Sequence, residues 1–229
     1  ERWPLLGQVH AFEWNGTVYQ QRSDALYGKK DFNQFGSVVS AGADASFVAV
    51  AAVGTRLIGN VNKCPKWNGS SYEQRGQDID DTLPAVSVDI GGDGSVLVVG
   101  GRGIRCFRSY DWNGTAYIRR ELTCEVQQGS LFDELVSLST NGLVVSVSTI
   151  GHVDVFEWNG SAYVQRGNNL IAEDEEEPSV AMNANGSIIA IGSTNKVSMF
   201  RWSGTTYTED DSDISTAEDV SYFARIVSS

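Results

Sequence analysis

The chain has 229 residues, of which 41% are hydrophobic and 20% are charged, and its formal net charge is −12. This composition is ordinary for a globular domain, and no apolar run reaches the roughly 20 residues of a membrane-spanning helix. The acidic balance argues against a nucleic-acid partner, because phosphate binding needs a cluster of Lys and Arg. Basic proteins or cations suit this charge better.

One tetrapeptide, Trp-Asn/Ser-Gly-Thr/Ser, occurs five times along the chain. Its copies begin at Trp14, Trp67, Trp112, Trp158 and Trp202. The copies are about 47 residues apart on average, which is a spacing typical of solenoids and propellers. Five such repeats account for the whole chain, so we expect a single domain over residues 1–229.

Each tetrapeptide predicts a β-hairpin, because Asn-Gly is the preferred pair for a two-residue type I′ turn. With the turn at Asn159-Gly160, Phe156 would lie opposite Tyr163. The same register pairs Phe12 with Tyr19, Tyr110 with Tyr117, Phe200 with Tyr207 and, in the second copy, Pro65 with Tyr72. Cross-strand aromatic pairs of this kind would fix the register of the hairpins.

A second hairpin is predicted before each of the last three tetrapeptides. It is clearest in Val86–Ile90 and Val96–Val99 around Asp93-Gly94, and it recurs around Asn141-Gly142 and Asn185-Gly186. The apolar residues barely alternate with polar ones, which indicates strands that are buried on both faces. Two hairpins per repeat give four strands, and this is the content of a propeller blade.

The order of the strands predicts how the chain would form a ring. In each repeat the first hairpin would be inner and the Trp-Asn-Gly hairpin outer. The two ends of the chain would share the last blade. Its outer pair would be Gln8–Trp14 and Thr17–Gln21, its inner strand Val220–Val227, and the neighbour of that inner strand Glu1–Leu6. We therefore expect an all-β fold, a five-bladed β-propeller of four-stranded antiparallel blades whose last blade is closed by both termini. In the alternative, further repeats complete the ring as part of a larger assembly.

Acidic residues are concentrated between the repeats, in segments that connect one predicted blade to the next. These segments hold 20 of the 29 acids. The predicted binding residues are Asp78, Asp80, Asp81, Glu173, Asp174, Glu175, Glu176, Glu177, Asp210, Asp211 and Asp213. Because a rim of one charge sign steers association, we expect a non-enzymatic scaffold that docks a basic protein or a cation-bridged matrix. A rim that is merely solvated is the alternative.

Neither a metal site nor a catalytic site is predicted. The cluster Asp78, Asp80 and Asp81 has oxygen ligands for calcium, but nothing in the sequence fixes their geometry, so no cofactor is expected. His10 and His152 have no nucleophile motif beside them. A glycosidase would need two or three carboxylates on the innermost strands, facing the axis of the ring. Asp89 is the one acid on a predicted innermost strand. Three further acids, Glu134, Glu177 and Asp219, stand just before the innermost strands of other blades. The chain is therefore expected not to be an enzyme.

The five tryptophans give a second functional hypothesis. Trp14, Trp67, Trp112, Trp158 and Trp202 could stack on sugars in repeated pockets, which would make the protein a multivalent, lectin-like propeller. The structural alternative is that each tryptophan packs over the outer edge of its own blade.

Cysteines and glycosylation motifs bear on the compartment. Cys106 and Cys124 flank one predicted hairpin and are a candidate disulfide, whereas Cys64 has no evident mate and could link chains if exposed. Five Asn-Gly-Ser/Thr sequons begin at Asn15, Asn68, Asn113, Asn159 and Asn185. They are consistent with a protein that lies outside the cell or in an organelle lumen.

Two stretches resemble a known type of repeat. Phe35–Ser40, followed by a turn and Val48–Val50, resembles the FG-GAP propeller repeat, and Gly151–Gly167 resembles repeats of large extracellular proteins from microalgae and bacteria. The resemblance implies a propeller used in adhesion or interaction. Only the first copy keeps Phe-Gly, and no repeat has the Asp-x-Asp-x-Asp-Gly loop with which integrin-like blades bind calcium.

Overall fold

The computed structural model describes residues 7–28, 35–52, 60–81, 85–101, 107–120, 135–172, 178–193 and 196–215. All regular structure in these ranges is β-strand, and every strand pairing is antiparallel. They contain no helix, and hence none that is long and apolar enough to cross a membrane. The predicted all-β class and antiparallel pairing are confirmed.

The last three repeats each form a sheet in which successive strands are neighbours. Repeat 3 contains β11 (Ala85–Ile90), β12 (Val96–Gly101), β13 (Arg108–Trp112) and β14 (Tyr117–Arg119). Repeat 4 contains β15 (Leu135–Leu138), β16 (Val144–Thr149), β17 (His152–Trp158), β18 (Tyr163–Gln165) and the short β19 (Leu170–Ile171), which also pairs with β17. Repeat 5 contains β20 (Ser179–Met182), β21 (Ile188–Gly192), β22 (Lys196–Trp202) and β23 (Tyr207–Ser215).

Repeats 1 and 2 are built from shorter strands. Repeat 1 is an outer hairpin of β1 (Gln8–Val9), β2 (Phe12–Trp14), β3 (Tyr19–Gln21) and β4 (Leu26–Tyr27). Repeat 2 has an inner pair, β5 (Phe35–Ala41) and β6 (Val48–Ala52), and an outer set of β7 (Asn60–Asn62), β8 (Pro65–Trp67), β9 (Tyr72–Gln74) and β10 (Ile79–Asp81). Two isolated bridges, Phe47 with Lys66 and Val50 with Lys63, join these two halves.

The register of the Trp-Asn-Gly hairpins differs from the prediction. Trp158 lies opposite Tyr163, and Phe156 lies opposite Gln165. The loop is longer than two residues because the Asn159 side chain accepts hydrogen bonds from the N–H groups of Ser161 and Ala162, while its own N–H bonds to the Ala162 carbonyl. The predicted Phe–Tyr pairs are therefore wrong, and the pairs are Trp–Tyr, with ring centroids 4.9 to 5.2 Å apart in all five repeats.

Consecutive repeats pack face to face, and each junction has its own hydrophobic core. Between repeats 3 and 4, Val98 and Phe107 contact a cluster that includes Val145 and Val147. On the other face of β16, Val144 belongs to the core shared with repeat 5. Strands β12 and β16 are buried along their whole length, as expected for strands covered on both faces.

The first strands of repeats 2 to 5 follow one another in space: β5 contacts β11, β11 contacts β15, and β15 contacts β20. The sheets therefore turn around a common inner edge, which is a propeller-like arrangement. The segments predicted to close the last blade, Glu1–Leu6 and Val220–Val227, lie outside the described residues.

Candidate functional site

The turns between the two inner strands of repeats 2 to 5 converge on one face and surround a groove of about 820 Å³. Each turn contributes at least one residue, and the outer hairpin of repeat 2 contributes Lys66 and Trp67. The lining residues are Ala43, Asp44, Ser46, Phe47, Lys66, Trp67, Gly92, Asp93, Thr140, Asn141 and Ala184. We call this space the mouth groove.

Hydrogen bonds between neighbouring turns hold the floor of the mouth groove together. The N–H of Gly92 donates to the Thr140 carbonyl at 2.8 Å, and the N–H of Asn141 donates to the Ala184 carbonyl at 3.2 Å. Gly92 suits the first junction because a Cβ there would lie 2.4 Å from the Thr140 side chain. The position of each turn is therefore fixed by the next repeat as well as by its own strands.

Each inner turn is also held by the side chain of an Asp or Asn. The carboxylate of Asp44 accepts from the N–H of Ser46 at 2.8 Å, and Asp93 accepts from the N–H of Ser95 at 2.8 Å. Asn141 and Asn185 accept from backbone N–H groups two residues on, at 3.1 Å each. Such side-chain turns are typical of Asx residues, and they place two carboxylates and an amide around the groove.

Repeat 2 brings an ammonium group and two aromatic rings to the groove, Lys66 and Trp67 from its outer hairpin and Phe47 from the turn of its inner pair. The N–H of Trp67 donates to the Ser46 carbonyl at 2.7 Å, and Phe47 forms an isolated bridge with Lys66. The Nζ of Lys66 lies 5.6 Å from the centroid of the Phe47 ring, a cation–π distance. Lys66 is exposed, so its ammonium group is available to a bound molecule.

Both carboxylates in the groove have pKa values below the usual 3.8. Hydrogen bonds from the Ser46 hydroxyl and N–H lower the pKa of Asp44, and the corresponding bonds from Ser95 lower the pKa of Asp93. Hydrogen bonding to the charged form of an acid favours that form. Asp44 and Asp93 are therefore ionised at neutral pH.

Below the turns, Asp89 ties three repeats together. Its carboxylate accepts from the Ser40 hydroxyl at 2.5 Å and from the N–H groups of Ile90 at 2.9 Å and Leu138 at 2.7 Å. Burial raises the pKa of Asp89, against the effect of these donors. The sequence singled out Asp89 as a candidate for a catalytic inner carboxylate, but its oxygens are engaged in joining repeats 2, 3 and 4.

A polar cluster at the opposite end of repeat 4 contains one of the two histidines. The Nε2 of His152 lies 3.0 Å from the Thr149 hydroxyl and 3.5 Å from the buried Asp154 carboxylate. Burial raises the pKa of Asp154, and His152 opposes that rise. Thr149 and His152 pair across the turn between β16 and β17, so the cluster also holds this turn.

Four of the five repeated tryptophans carry an arginine on their ring. The guanidinium carbon lies 4.5 Å from the ring centroid in Arg22–Trp67, 4.1 Å in Arg75–Trp112, 4.0 Å in Arg120–Trp158 and 4.5 Å in Arg166–Trp202. In each pair the arginine belongs to the preceding repeat. The ring face that was predicted to stack on sugars is thus covered at these four tryptophans, while no described residue places a cation over Trp14.

The predicted acidic rim is only partly within the described residues. Asp78 is half-buried. Four of the predicted rim acids lie on strands and not in loops: Asp80 and Asp81 on β10, and Asp211 and Asp213 on β23. Asp210 forms an ion pair with Arg201 at 3.1 Å. The residues Glu173, Asp174, Glu175, Glu176 and Glu177 lie outside the described residues. In the ranges that are described, no three His, Cys, Asp or Glu side chains form a group that could hold a metal ion.

Cys64 is buried, with 1% of its surface exposed, and burial raises the pKa of its thiol to about 12. An inaccessible, protonated thiol does not suit the linkage between chains that the sequence left open. The candidate disulfide of Cys106 and Cys124 lies outside the described residues. The sequon residues Asn15, Asn68, Asn113, Asn159 and Asn185 are all exposed.

Sequence reasoning missed the groove residues and the arginines. The arginines have a signal, since each stands three residues after the hairpin tyrosine, as in Tyr72 and Arg75 or Tyr163 and Arg166. Asp44 and Asp93 share one position in their inner turns. Lys66 has no such signal, because the residue before the repeated tryptophan differs between repeats.

The fold is similar to that of a solved protein from Bacteroides fragilis NCTC 9343, a provisionally assigned 6-phosphogluconolactonase. The two structures match with a TM-score of 0.64 at 12% sequence identity, over 93% of this chain and 66% of that chain. This chain therefore spans about two thirds of the length of that protein. No protein-family profile matches the chain, and no curated protein does either, so the FG-GAP resemblance stays a prediction.

This similarity corrects the functional prediction. A non-enzymatic scaffold was expected because no catalytic motif could be found, yet the matching fold is that of a chain assigned as an enzyme. The expectations that the chain is not an enzyme, that it serves as an acidic docking module and that it is lectin-like are therefore wrong. A propeller-like fold places its functional groups on loops that are remote in sequence, so the lack of a local motif says little about catalysis.

Proposed function

We propose that the protein is a hydrolase that opens a small, sugar-derived lactone bound in the mouth groove. The observation that carries this proposal is the set of groups gathered there: the ammonium of Lys66, the ionised carboxylates of Asp44 and Asp93, and the rings of Phe47 and Trp67. The activity named for the similarly folded Bacteroides fragilis protein, hydrolysis of a sugar lactone, supports the reaction class.

The size and composition of the groove suit a sugar ring. A volume of about 820 Å³ lies within the ~300–1,000 Å³ of sites for small molecules. Phe47 and Trp67 add aromatic carbon to the lining, although Arg75 and Arg22 lie over their rings at 4.7 and 4.5 Å. The Thr140 hydroxyl and the Asn141 amide can bond to the hydroxyls of a sugar. The substrate would lie across the turns of repeats 2 to 5.

Lysine and aspartate supply the two functions that lactone hydrolysis needs. Asp93 or Asp44 takes a proton from water as the water oxygen bonds to the lactone carbonyl carbon. The carbonyl π electrons move to the carbonyl oxygen, where the Lys66 ammonium stabilises the negative charge. The bond between the carbonyl carbon and the ring oxygen then breaks, and the ring oxygen accepts the proton from the carboxylic acid. The product is a hydroxy acid.

The charge of the groove selects among lactones. Two carboxylates and one ammonium group leave the lining with a net negative charge, which repels a phosphate group. We therefore expect an uncharged lactone such as glucono-δ-lactone to be hydrolysed faster than 6-phosphogluconolactone. The expected substrate therefore differs from the phosphorylated lactone named for the similarly folded Bacteroides fragilis protein.

The test is a hydrolysis assay with both lactones, corrected for their spontaneous opening and run on wild type, Lys66→Met, Asp93→Asn and Asp44→Asn. Lys66→Met keeps the stem of the side chain, and Asp93→Asn keeps the turn, since Asn141 makes the same bond in repeat 4. Removal of an oxyanion donor or a general base typically lowers the rate ~100-fold or more. We expect such a loss in Lys66→Met and in either Asp93→Asn or Asp44→Asn, whichever removes the base, with unchanged circular dichroism.

Lys196→Met is the matched control, because Lys196 lies on β22, away from the groove, and pairs with Glu209 at 3.6 Å. It should keep the wild-type rate. If the wild type opens neither lactone faster than buffer, or if Lys66→Met and both aspartate variants match the control, the proposed function is wrong.

We also propose that the five repeats are five successive blades about one axis, and that the protein lies outside the cell or in an organelle lumen. The contacts of β5 with β11, β11 with β15 and β15 with β20 support the first proposal. Five exposed sequon asparagines support the second. Mass spectrometry of the protein from its source would detect glycans at these asparagines.

A further inference from the structure

An arginine from one repeat clamps the outer hairpin of the next repeat at four places. In the best-formed example, the guanidinium of Arg75 lies 4.1 Å from the Trp112 centroid and donates to the Gly94 carbonyl at 2.8 Å. Tyr117 donates to the same carbonyl at 2.7 Å. We call this arrangement the arginine clamp; its other members are Arg22 on Trp67, Arg120 on Trp158 and Arg166 on Trp202.

An acid on the neighbouring strand aligns three of the clamp arginines. Arg22 pairs with Glu13 at 3.3 Å, Arg120 with Asp111 at 2.6 Å and Arg166 with Glu157 at 3.6 Å. In each pair the acid precedes the repeated tryptophan, and the arginine stands three residues after the tyrosine. The pair thus belongs to one hairpin, and the guanidinium reaches from it to the next repeat.

Repeat 5 reverses this pair. Arg201 precedes Trp202, and Asp210 stands three residues after Tyr207, where the other repeats have arginine. The two residues still form an ion pair, at 3.1 Å, but its charges are exchanged. The outer edge of repeat 5 therefore presents a carboxylate where every other repeat presents a guanidinium.

Repeat 1 has the opposite feature, an aromatic pair with no cation over it among the described residues. Trp14 and Tyr19 stack at 5.2 Å like the other pairs. Trp14 is 56% exposed and Tyr19 is 71% exposed, whereas Tyr72, the counterpart of Tyr19 in repeat 2, is 8% exposed. Phe12 and Val18 beside them are also more than half exposed.

At the clamp position, three residues after its tyrosine, repeat 5 has Asp210 and not a cation. The face of an indole ring is electron-rich, so it attracts a guanidinium and repels a carboxylate such as that of Asp210. Arg22, Arg75, Arg120 and Arg166 are all engaged at the internal junctions. Within the described ranges, the Trp14–Tyr19 face keeps the shape of a clamp site without the arginine that fills it in the other repeats.

We propose that the Trp14–Tyr19 face binds the arginine of a further repeat of this type, one that is not among the five. The occupant is an outer hairpin with an acid before its tryptophan and an arginine three residues after its tyrosine, as in Glu157 and Arg166. Its guanidinium stacks on Trp14 as Arg166 stacks on Trp202. The four internal junctions are the precedent for this interface, which is independent of the proposed hydrolase function.

The test restores the arginine on the edge of repeat 5 and uses the chain as its own probe. In the double variant Arg201→Glu/Asp210→Arg the last hairpin matches that of repeat 4. One copy should then dock on the Trp14–Tyr19 face of another copy. We expect sedimentation velocity to show head-to-tail association with a Kd about tenfold or more below that of wild type.

Two further variants show whether the face is the one that binds. Adding Trp14→Ala to the double variant should remove the association, and adding Trp158→Phe, at a junction that is already filled, should not. The proposal is wrong if the double variant associates no more than wild type. It is also wrong if the double variant stays monomeric but gains thermal stability, and Trp14→Ala removes that gain. In that case the new arginine would occupy the Trp14–Tyr19 face of its own chain.

A second measurement covers the case in which the double variant does not fold. In the wild-type background, Trp14→Ala should leave the unfolding midpoint in urea nearly unchanged, whereas Trp112→Ala should lower it clearly. Equal losses at the two positions would show that Trp14 already has a partner, and the proposal would fail.

Discussion

The guanidinium of Arg75 in repeat 2 lies 4.1 Å from the ring centroid of Trp112 in repeat 3. The same side chain donates to the Gly94 carbonyl at 2.8 Å, in the inner turn that carries Asp93 of the mouth groove. Each junction between repeats is thus held twice, by a hydrophobic core between the sheets and by a cation at the outer hairpin. The rigidity of the groove depends on these junctions.

Replacing Arg75 with Ala should destabilise the fold by about 2–4 kcal/mol, since it removes a cation–π contact and a charge-assisted hydrogen bond. Urea unfolding followed by circular dichroism measures the change. Arg201→Ala is the control, because Arg201 is 61% exposed and its ion pair with Asp210 is worth at most about 1 kcal/mol. Similar losses in the two variants would contradict a structural role for the clamp.

Replacing Ala45 with Gly should stabilise the fold by up to about 1 kcal/mol. Ala45 has φ = +53°, and the corresponding residues of repeats 3, 4 and 5 are Gly94, Gly142 and Gly186, also with positive φ. The left-handed conformation costs an alanine energy that glycine does not lose. Gly94→Ala is the reciprocal variant, and it should destabilise, because its Cβ would lie 2.5 Å from the Phe47 ring. A lower unfolding temperature for Ala45→Gly would count against this account.

Asp89 should make the stability of the fold increase as the solution is acidified. Burial raises its pKa in the folded state above the usual 3.8, so the folded protein binds this proton more readily than the unfolded chain does. The gain develops as pH falls through the folded pKa toward 3.8. Asp89→Asn cannot ionise, so the unfolding free energy of wild type relative to this variant should rise between about pH 7 and pH 4. A constant difference would contradict the raised pKa.

The rate of lactone hydrolysis should stay constant as the solution is acidified, because the groove carboxylates remain ionised. Because the pKa values of Asp44 and Asp93 lie below 3.8, both stay ionised as pH falls, and their base form is lost only below that value. We expect kcat/KM for glucono-δ-lactone to be level from about pH 7 to about pH 4. A loss of kcat/KM well above pH 4 on acidification would contradict the assignment of a groove carboxylate as the base.

The hairpins could be predicted from the sequence, but their register could not be predicted from the turn pair alone. Asn159-Gly160 favours a two-residue turn, yet the Asn159 side chain binds two N–H groups and widens the loop to four residues. The repeat itself held a better signal. Tyrosine follows tryptophan by five residues in all five copies, as in Trp14 and Tyr19. A phenylalanine stands seven residues before the tyrosine in only three of the copies.

The groove could not be predicted, because it exists only where turns from different repeats meet. Asp44, Asp93 and Asn141 are about 48 residues apart in sequence, and each has a local reason to be an Asx residue in its turn. Their convergence follows from the stacking of the sheets around the inner strands. Lys66 reaches the same space from an outer hairpin through its bridge with Phe47, a contact that no pattern in the repeat indicates.

The most direct measurement is a crystal structure of the protein soaked with gluconolactam, in which a ring nitrogen replaces the lactone oxygen and resists hydrolysis. We expect density in the mouth groove, with the lactam carbonyl oxygen at hydrogen-bond distance from Lys66 Nζ and its carbon facing Asp93 or Asp44. Density elsewhere on the chain, or an empty groove in crystals soaked at a concentration that inhibits hydrolysis, would contradict the proposed site.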